Sequence, residues 1–232
     1  MIKYILWDID GTLLNFDLAE TRAIRKCFDL YGLGELSDRA LQDYKKINKF
    51  LWEKLEEDKI TRTEVLEGRF KKLFDKYSYQ VDDIPAFNIV YQKALGQTYV
   101  LNENARETIE NLGDKYAQYG VTNGSIIAQE GKLKGAKLDK YLRDVFISER
   151  IGYEKPAREF FDYVFDRVGS ANPDDYIIVG DSLTSDIRGG NLAGMKTIWY
   201  NPASLINELG FKVDYEVTDL IDIVDILEEN NE

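Results

Sequence analysis

Lys3-Tyr4-Ile5-Leu6-Trp7-Asp8-Ile9-Asp10-Gly11-Thr12-Leu13-Leu14 begins as an apolar run and ends in two aspartates one residue apart. The run reads as a buried strand. Side chains two apart on a strand share a face, so the strand is expected to bring the Asp8 and Asp10 carboxylates side by side where it ends. Gly11 lets the backbone turn sharply and approach a ligand closely. Two like charges at that spacing repel unless a cation or a shared proton holds them. The arrangement favours chemistry over stability, and points to a centre that binds a divalent cation and a phosphoryl group.

The bulk numbers limit what can surround such a centre. A chain of 232 residues, 44% hydrophobic and 31% charged, can bury a sizeable core as one domain with an insertion or as two modest domains. No apolar run approaches the roughly 20 residues that span a bilayer, so no membrane partner is expected. The first residues lead directly into the Asp8 strand, so no signal peptide is expected. A single cysteine, Cys27, rules out an internal disulfide and fits a reducing cytoplasm. It lies in a helical pattern as a small core residue. The chain has no histidine, which removes serine–histidine and cysteine–histidine hydrolysis and ordinary zinc sites. Acid–base work must fall to carboxylates, lysine or tyrosine. A net charge of −12 argues against a broad grip on nucleic acid. Asp214 to Glu232 carries eight acidic residues and no basic one, and reads as a solvated helix face.

After Leu14 the pattern changes. From Asp17 to about Leu95, apolar residues recur at helical spacing: Ala23, Cys27 and Leu30, then Leu41, Tyr44, Ile47, Leu51 and Leu55. Gly32, Gly34 and Ser37 read as a helix stop and a new N-cap, Thr61-Arg62-Thr63-Glu64 as a capping box, and Asp82-Asp83-Ile84-Pro85 as another start. This predicts four helices and no strand. Beyond it, strands are predicted at 116–121, 145–148, 175–179 and 196–200, alternating with helices at 104–112, 126–138, 157–168, 184–193 and 220–227. That alternation implies an α/β fold: a Rossmann-like three-layer α/β/α core with a parallel sheet, built from residues 1–16 and 97–232, and an all-helical insertion over residues 17–96. Ligands of such sheets bind at the carboxyl ends of the strands.

Three strand ends carry polar groups: Asp8 and Asp10; Thr122, Asn123 and Gly124; and Gly180, Asp181 and Ser182, with Asp186 in the next turn. Lys155 precedes Pro156 just after the 145–148 strand. Magnesium takes a few carboxylates and fills its octahedron with water and phosphate. Asp8 and Asp181 are natural side-chain ligands, Asp10 can add its backbone carbonyl, and Asp186 can bind directly or through water. The cation and the Lys155 ammonium would offset the clustered charge. The Thr122 hydroxyl can hold phosphate oxygens together with backbone N–H groups, the candidates being those of Gly11, Thr12, Asn123 and Gly124. Asp8 can attack phosphorus, and Asp10 can shuttle the proton. Taken singly, Asp-x-Asp is often a solvated strand end, Thr-Asn-Gly a turn, and Lys-Pro carries almost nothing. The four together, each after a strand pattern, favour catalysis.

In this set the chain resembles the haloacid dehalogenase superfamily. Asp8-Ile9-Asp10-Gly11-Thr12-Leu13 is similar to its first motif, Thr122-Asn123-Gly124 to its second, Lys155-Pro156 to its third, and Gly180-Asp181-Ser182 with Asp186 to its fourth. The resemblance implies Asp8 as nucleophile, Asp10 as acid/base, Thr122 and Lys155 as stabilisers of phosphate and charge, and Asp181 as metal ligand with Asp186 in support. It implies Mg²⁺, with Mn²⁺ able to substitute, and a helical cap that opens and closes over the site. The stretches Asp43–Trp52, Ile60-Thr61, Gly68-Arg69-Phe70 and Ile147–Gly152 resemble the bacterial pyrimidine 5′-nucleotidase branch. That implies a small phosphorylated partner, a pyrimidine nucleoside monophosphate, and makes Asn48, Lys49, Trp52, Arg69 and Phe70 candidate contacts. The bland alternative makes Trp52 and Phe70 cap core and leaves Lys49 and Arg69 solvated. Another small-metabolite phosphatase (phosphoglycolate or sugar phosphate), a phosphoglucomutase and a non-catalytic phosphate-binding scaffold remain alternatives. A dehalogenase would give Asp10 and Asp181 no evident role. Nothing here indicates an oligomeric state.

Overall fold

The computed structural model describes residues 1–229. The opening stretch forms strand β1, Tyr4–Asp8, in the middle of a six-stranded sheet of order β3-β2-β1-β4-β5-β6. The others are β2 (Ala117–Thr122), β3 (Val145–Ile147), β4 (Tyr176–Gly180), β5 (Lys196–Tyr200) and β6 (Tyr215–Val217). All five pairings are parallel, with Leu6 opposite Tyr119 on one side and Ile178 on the other. Parallel strands covered on both faces need apolar residues throughout, and β2 and β4 are buried at every position. The strand order reverses at β1, so the crevice beyond the ends of β1 and β4 is where a doubly wound sheet binds its ligand.

The alternation of β1 divides the core. Ile5 and Trp7 pack on one face against helices α5 (Ala105–Leu112), α6 (Ile126–Ala136) and α10 (Asp222–Glu229). Leu6 packs on the other, where Phe160, Phe161 and Val164 of α8 (Arg158–Val168) and Ala193 of α9 (Arg188–Ala193) cover the sheet. Between β3 and α8 lies the single turn α7, Ser148–Ile151.

Between β1 and α5 the chain forms four helices: α1 (Phe16–Leu30), α2 (Asp38–Glu56), α3 (Arg62–Tyr77) and α4 (Ile84–Leu95). Their starts follow the expected chemistry. Ser37 caps α2, both bonds of the Thr61/Glu64 capping box form, and Asp83 caps α4 with Pro85 in the first turn. The four helices share their own apolar cluster, with Cys27, Tyr44, Phe70, Phe87 and Tyr91 buried in it. No helix of the described residues is long and apolar enough to cross a membrane.

Four details depart from the sequence reading. β1 ends at Asp8, so the strand alternation does not carry to Asp10, which sits in a bridge to Leu14 beyond the strand. The helix predicted at 184–193 opens as a π turn, Leu183–Ile187, before α9; such bulges re-aim side chains at functional sites. Leu30 is 63% exposed, because α1 ends there and its stripe has nothing left to cover. The acidic tail is not simply a solvated helix face. It begins with β6, Asp214 accepts from the Thr197 backbone N–H at 3.0 Å, and Asp219 accepts from Asn104 at 2.9 Å; the tail's residues 230–232 lie outside the described residues.

Candidate active site

The crevice at the end of β1 collects groups from four strand ends. Lys155 reaches it from the loop after α7, buried among three acceptors. Its Nζ donates to Asp8 Oδ1 at 2.7 Å, to Asp186 Oδ1 at 2.6 Å and to the Val121 carbonyl at 3.0 Å. Asn123 fixes that lysine by clamping its backbone, donating to the Lys155 carbonyl and accepting from its N–H, both at 2.8 Å. Asp186 also accepts from the Ser182 backbone N–H at 3.1 Å, through the π turn. Oxygens of Asp8, Asp181 and Asp186 lie within 4.8 Å of one another.

Three carboxylates around one ammonium are short of positive charge. Burial raises the Asp8 carboxyl well above its usual range; Lys155 pulls it down, while Asp186 and Asp181 push it up further. Asp181 is pushed up to about 7, first by burial and then by Asp186; it is surrounded by protein yet open to the water of the cavity. Burial alone would lower Lys155, but Asp186 and Asp8 together hold it above its usual value. Asp8 Oδ2 is buried with no hydrogen-bond partner among the described residues. An unshared carboxylate oxygen in a cluster of net −2 needs an electrophile, and the donor set is all oxygen. A hard divalent cation such as Mg²⁺ fits these residues.

Asp10 belongs to a different set of partners. Lys132 donates to its Oδ1 at 2.6 Å and Gln129 to its Oδ2 at 2.7 Å. Both donors are buried on α6, three residues apart and therefore on one helix face. The sequence reading missed them. They follow Thr122-Asn123-Gly124 closely, but a lysine in a helix carries no signal until the fold shows what it faces.

The remaining motif residues support the loops. The Thr122 hydroxyl accepts from the Gly124 N–H at 3.0 Å and lines the cavity. The Thr12 hydroxyl, fully buried, lies 3.4 Å from Asp181 Oδ1. Asn102 ties the turn by donating to the carbonyls of Gly11 and Thr12 at 3.0 and 2.8 Å. Gly11 has φ +102°, and a Cβ there would stand 2.5 Å from Asp181 Oδ2. Gly11→Ala combines a strained backbone with a displaced carboxylate. A displacement near 1 Å can cost about 10²-fold in rate, so kcat/KM is expected to fall by about that factor, checked by steady-state assay with circular dichroism to verify the fold.

A cavity of about 510 Å³ runs from Asp8, Asp10, Lys155 and Asp181 to the four-helix insertion, whose Glu20, Lys45, Asn48, Lys49, Trp52, Arg69 and Gln92 line it. Phe70 is not at this wall; it is fully buried against Phe87 and Tyr91. Lys49 is exposed at the rim and lies 3.9 Å from Glu53. Arg69 is buried rather than solvated, with its guanidinium 4.8 and 4.7 Å from the Phe70 and Tyr91 ring centres. Arg62, at the start of α3, bridges the insertion to the sheet by donating to the Gly124 carbonyl at 2.8 Å and Ser148 Oγ at 3.1 Å. Beside it Trp52 covers the guanidinium at 5.7 Å.

Burial pushes the Glu20 carboxyl up to about 7 against the pull of Lys45 and Arg69, with Asp17 adding to the rise. Its folded value exceeds its unfolded one, so its contribution is fully present at acid pH and is lost as pH rises through 7. The loss is at most about 3 kcal/mol at 1.36 kcal/mol per unit. Glu20→Gln is therefore expected to gain thermal stability relative to wild type between about pH 5 and 8. A difference in Tm that stays constant over that range would contradict it.

A model of the haloacid dehalogenase-like hydrolase family matches residues 5–200. The chain is 37% identical to the HAD-hydrolase YfnB of Bacillus subtilis (strain 168), over 99% of this chain and 97% of that one. It is 35% identical to the pyrimidine 5′-nucleotidase PynA of Streptococcus pneumoniae (strain ATCC BAA-255 / R6), over 98% and 96%. To the pyrimidine 5′-nucleotidase YjjG of Escherichia coli (strain K12) it is 26% identical, over 97% of each chain. The crystal structure of YfnB bound to magnesium superposes with a TM-score of 0.92 at 36% identity, covering 97% of this chain and 98% of that one.

Proposed function

The chain belongs to the haloacid dehalogenase-like hydrolases, and from that premise we propose that it is a Mg²⁺-dependent phosphatase acting on pyrimidine nucleoside 5′-monophosphates through an aspartyl-phosphate. The observation that carries the reading is the buried Asp8–Lys155–Asp186 group beside Asp181, set at one end of a cavity whose other wall is polar and helical. Residues 17–96 act as the cap, and residues 1–16 and 97–232 as the catalytic core. The pyrimidine specificity rests on the likeness to PynA and YjjG.

Asp8, Asp181 and Asp186 would hold the cation, with the Asp10 carbonyl as a further oxygen. The ion would neutralise the cluster and draw charge from the phosphoryl oxygens. A carboxylate oxygen of Asp8 attacks phosphorus while the bond to the nucleoside oxygen breaks, and Asp10 gives that oxygen a proton. In the second step Asp10 takes a proton from a water that attacks phosphorus, releasing phosphate and restoring Asp8. Lys155 holds Asp8 in place and offsets charge on the transferring group. The Thr122 hydroxyl and the N–H groups of its loop hold the other phosphoryl oxygens.

A panel of pyrimidine and purine monophosphates, sugar phosphates, phosphoglycolate and p-nitrophenyl phosphate tests the proposal, each with Mg²⁺ and with excess chelator. Pyrimidine nucleotides should give the highest kcat/KM, and the chelator should abolish turnover. Preference for sugar phosphates or phosphoglycolate would overturn the specificity, and full activity in chelator would overturn the metal requirement.

A further inference from the structure

Three buried polar side chains in the cap wall present a fixed order of donor and acceptor. Arg69 donates Nε to the Leu66 carbonyl at 3.2 Å, Nη1 to Asn48 Oδ1 at 3.2 Å and Nη2 to Asn88 Oδ1 at 2.9 Å. A guanidinium has donors only, so the Asn48 atom facing it must be the amide oxygen. That fixes the flip of Asn48 and turns its NH₂ to Glu20, where Nδ2 donates to Oε2 at 3.3 Å. An amide nitrogen has two hydrogens, and this is the one bond Nδ2 makes among the described residues. Glu20 Oε1 takes part in no hydrogen bond among them. Asn48 is 3% and Glu20 6% exposed, and both line the cavity that ends at Asp8.

We propose that Asn48 and Glu20 form a base-reading subsite for a C=O beside an N–H, the imide edge of uracil and thymine. The inference rests on the nucleotidase reading above. The spare Asn48 N–H donates to a base carbonyl, and a Glu20 oxygen accepts from the ring N3–H. The carbonyl oxygen of Glu20 can accept whether or not the group carries a proton. Cytosine puts a bare acceptor at N3, so an ionised Glu20 would face a lone pair there, a buried mismatch that costs more than a lost contact. Arg69 acts as the positioning residue: each of its three nitrogens already donates within the cap, to Leu66, Asn48 and Asn88. Phe16, Trp52 and Leu95 line the same cavity and offer apolar surface to the faces of the ring.

The test compares kcat/KM at pH 8, where Glu20 is ionised, for UMP, CMP and N3-methyl-UMP, with p-nitrophenyl phosphate as the wild-type control for chemistry. UMP should exceed both CMP and N3-methyl-UMP by at least about tenfold, as expected when a buried polar group is left unpaired. In Glu20→Gln the amide can turn its NH₂ to cytosine N3, so the UMP/CMP ratio should fall by at least about fivefold, with circular dichroism checking the fold. Equal turnover of UMP and N3-methyl-UMP by the wild type overturns the subsite, whatever happens to the variant. An unchanged UMP/CMP ratio in a folded Glu20→Gln protein overturns it too. Hydrolysis of p-nitrophenyl phosphate with no nucleotide turned over overturns the nucleotidase reading and this subsite with it. Nucleotide turnover without base preference overturns the subsite alone.

Discussion

Asp8→Asn is expected to lower kcat by on the order of 10⁴-fold or more, the scale seen when a covalent nucleophile is removed, and to leave Tm within a few degrees of wild type. The rate falls because an amide oxygen is a poor nucleophile and forms no acyl-phosphate. The fold survives because the change is nearly isosteric. Asn Oδ1 can still accept from Lys155 Nζ, which keeps its bonds to Asp186 and the Val121 carbonyl. Burial, then the charges of Asp186 and Asp181, already oppose an ionised Asp8, so neutralising it removes repulsion as well as an ion pair. Steady-state assay with thermal unfolding checks both halves. Near-normal turnover would exclude the covalent route. Lost activity with a collapsed Tm would mean that Asp8 acts through the fold.

The site was legible wherever chemistry sat at the end of an apolar run. Asp8, Thr122 and Asp181 each follow such a run, and a parallel sheet brings all such ends to one edge. Lys155 was legible only through its motif, because what makes it important is a meeting of residues 31 and 147 positions away. Asp10 was placed with Asp8 by strand alternation, yet β1 stops first and Asp10 turns to α6. The strand order is not local information, so the neighbours β2 and β4 of β1 could not be read from β1 itself. β6 was lost because three residues inside an acidic tail carry no usable period. Arg62 was read as the first residue after an N-cap, which it is; its bonds to Gly124 and Ser148 cross the boundary between insertion and sheet and have no signature in either. Asn48 and Arg69 were flagged by resemblance, while Glu20, their partner from α1, was not flagged at all.

Lys132→Met is expected to slow the enzyme on nucleotides by on the order of 10²- to 10³-fold, within the range for general acid catalysis. Asp10 must hand a proton to a leaving alkoxide, and two donors set where its carboxyl group points. Without Lys132 only Gln129 holds it, and the side chain, 18% exposed to the cavity, can turn away. Methionine keeps most of the buried volume. It leaves the Asp10 carboxyl without its ion pair, but that group still accepts from Gln129 and is 18% exposed, so the variant should lose stability and still fold, which circular dichroism checks. A loss of packing would slow every substrate alike, whereas loss of proton delivery depends on the leaving group. Nucleoside 5′-monophosphates expel an alkoxide that needs the proton; p-nitrophenyl phosphate expels a phenolate that leaves without it. The second step needs Asp10 as base for both. The variant should therefore release about one p-nitrophenolate per enzyme in a rapid burst and then turn over slowly, while a nucleotide gives no burst of nucleoside, because its first step is the one delayed. Rapid-quench and stopped-flow measurements on the two substrates read this directly. Equal slowing of both first steps would show that Lys132 supports the fold and not the proton.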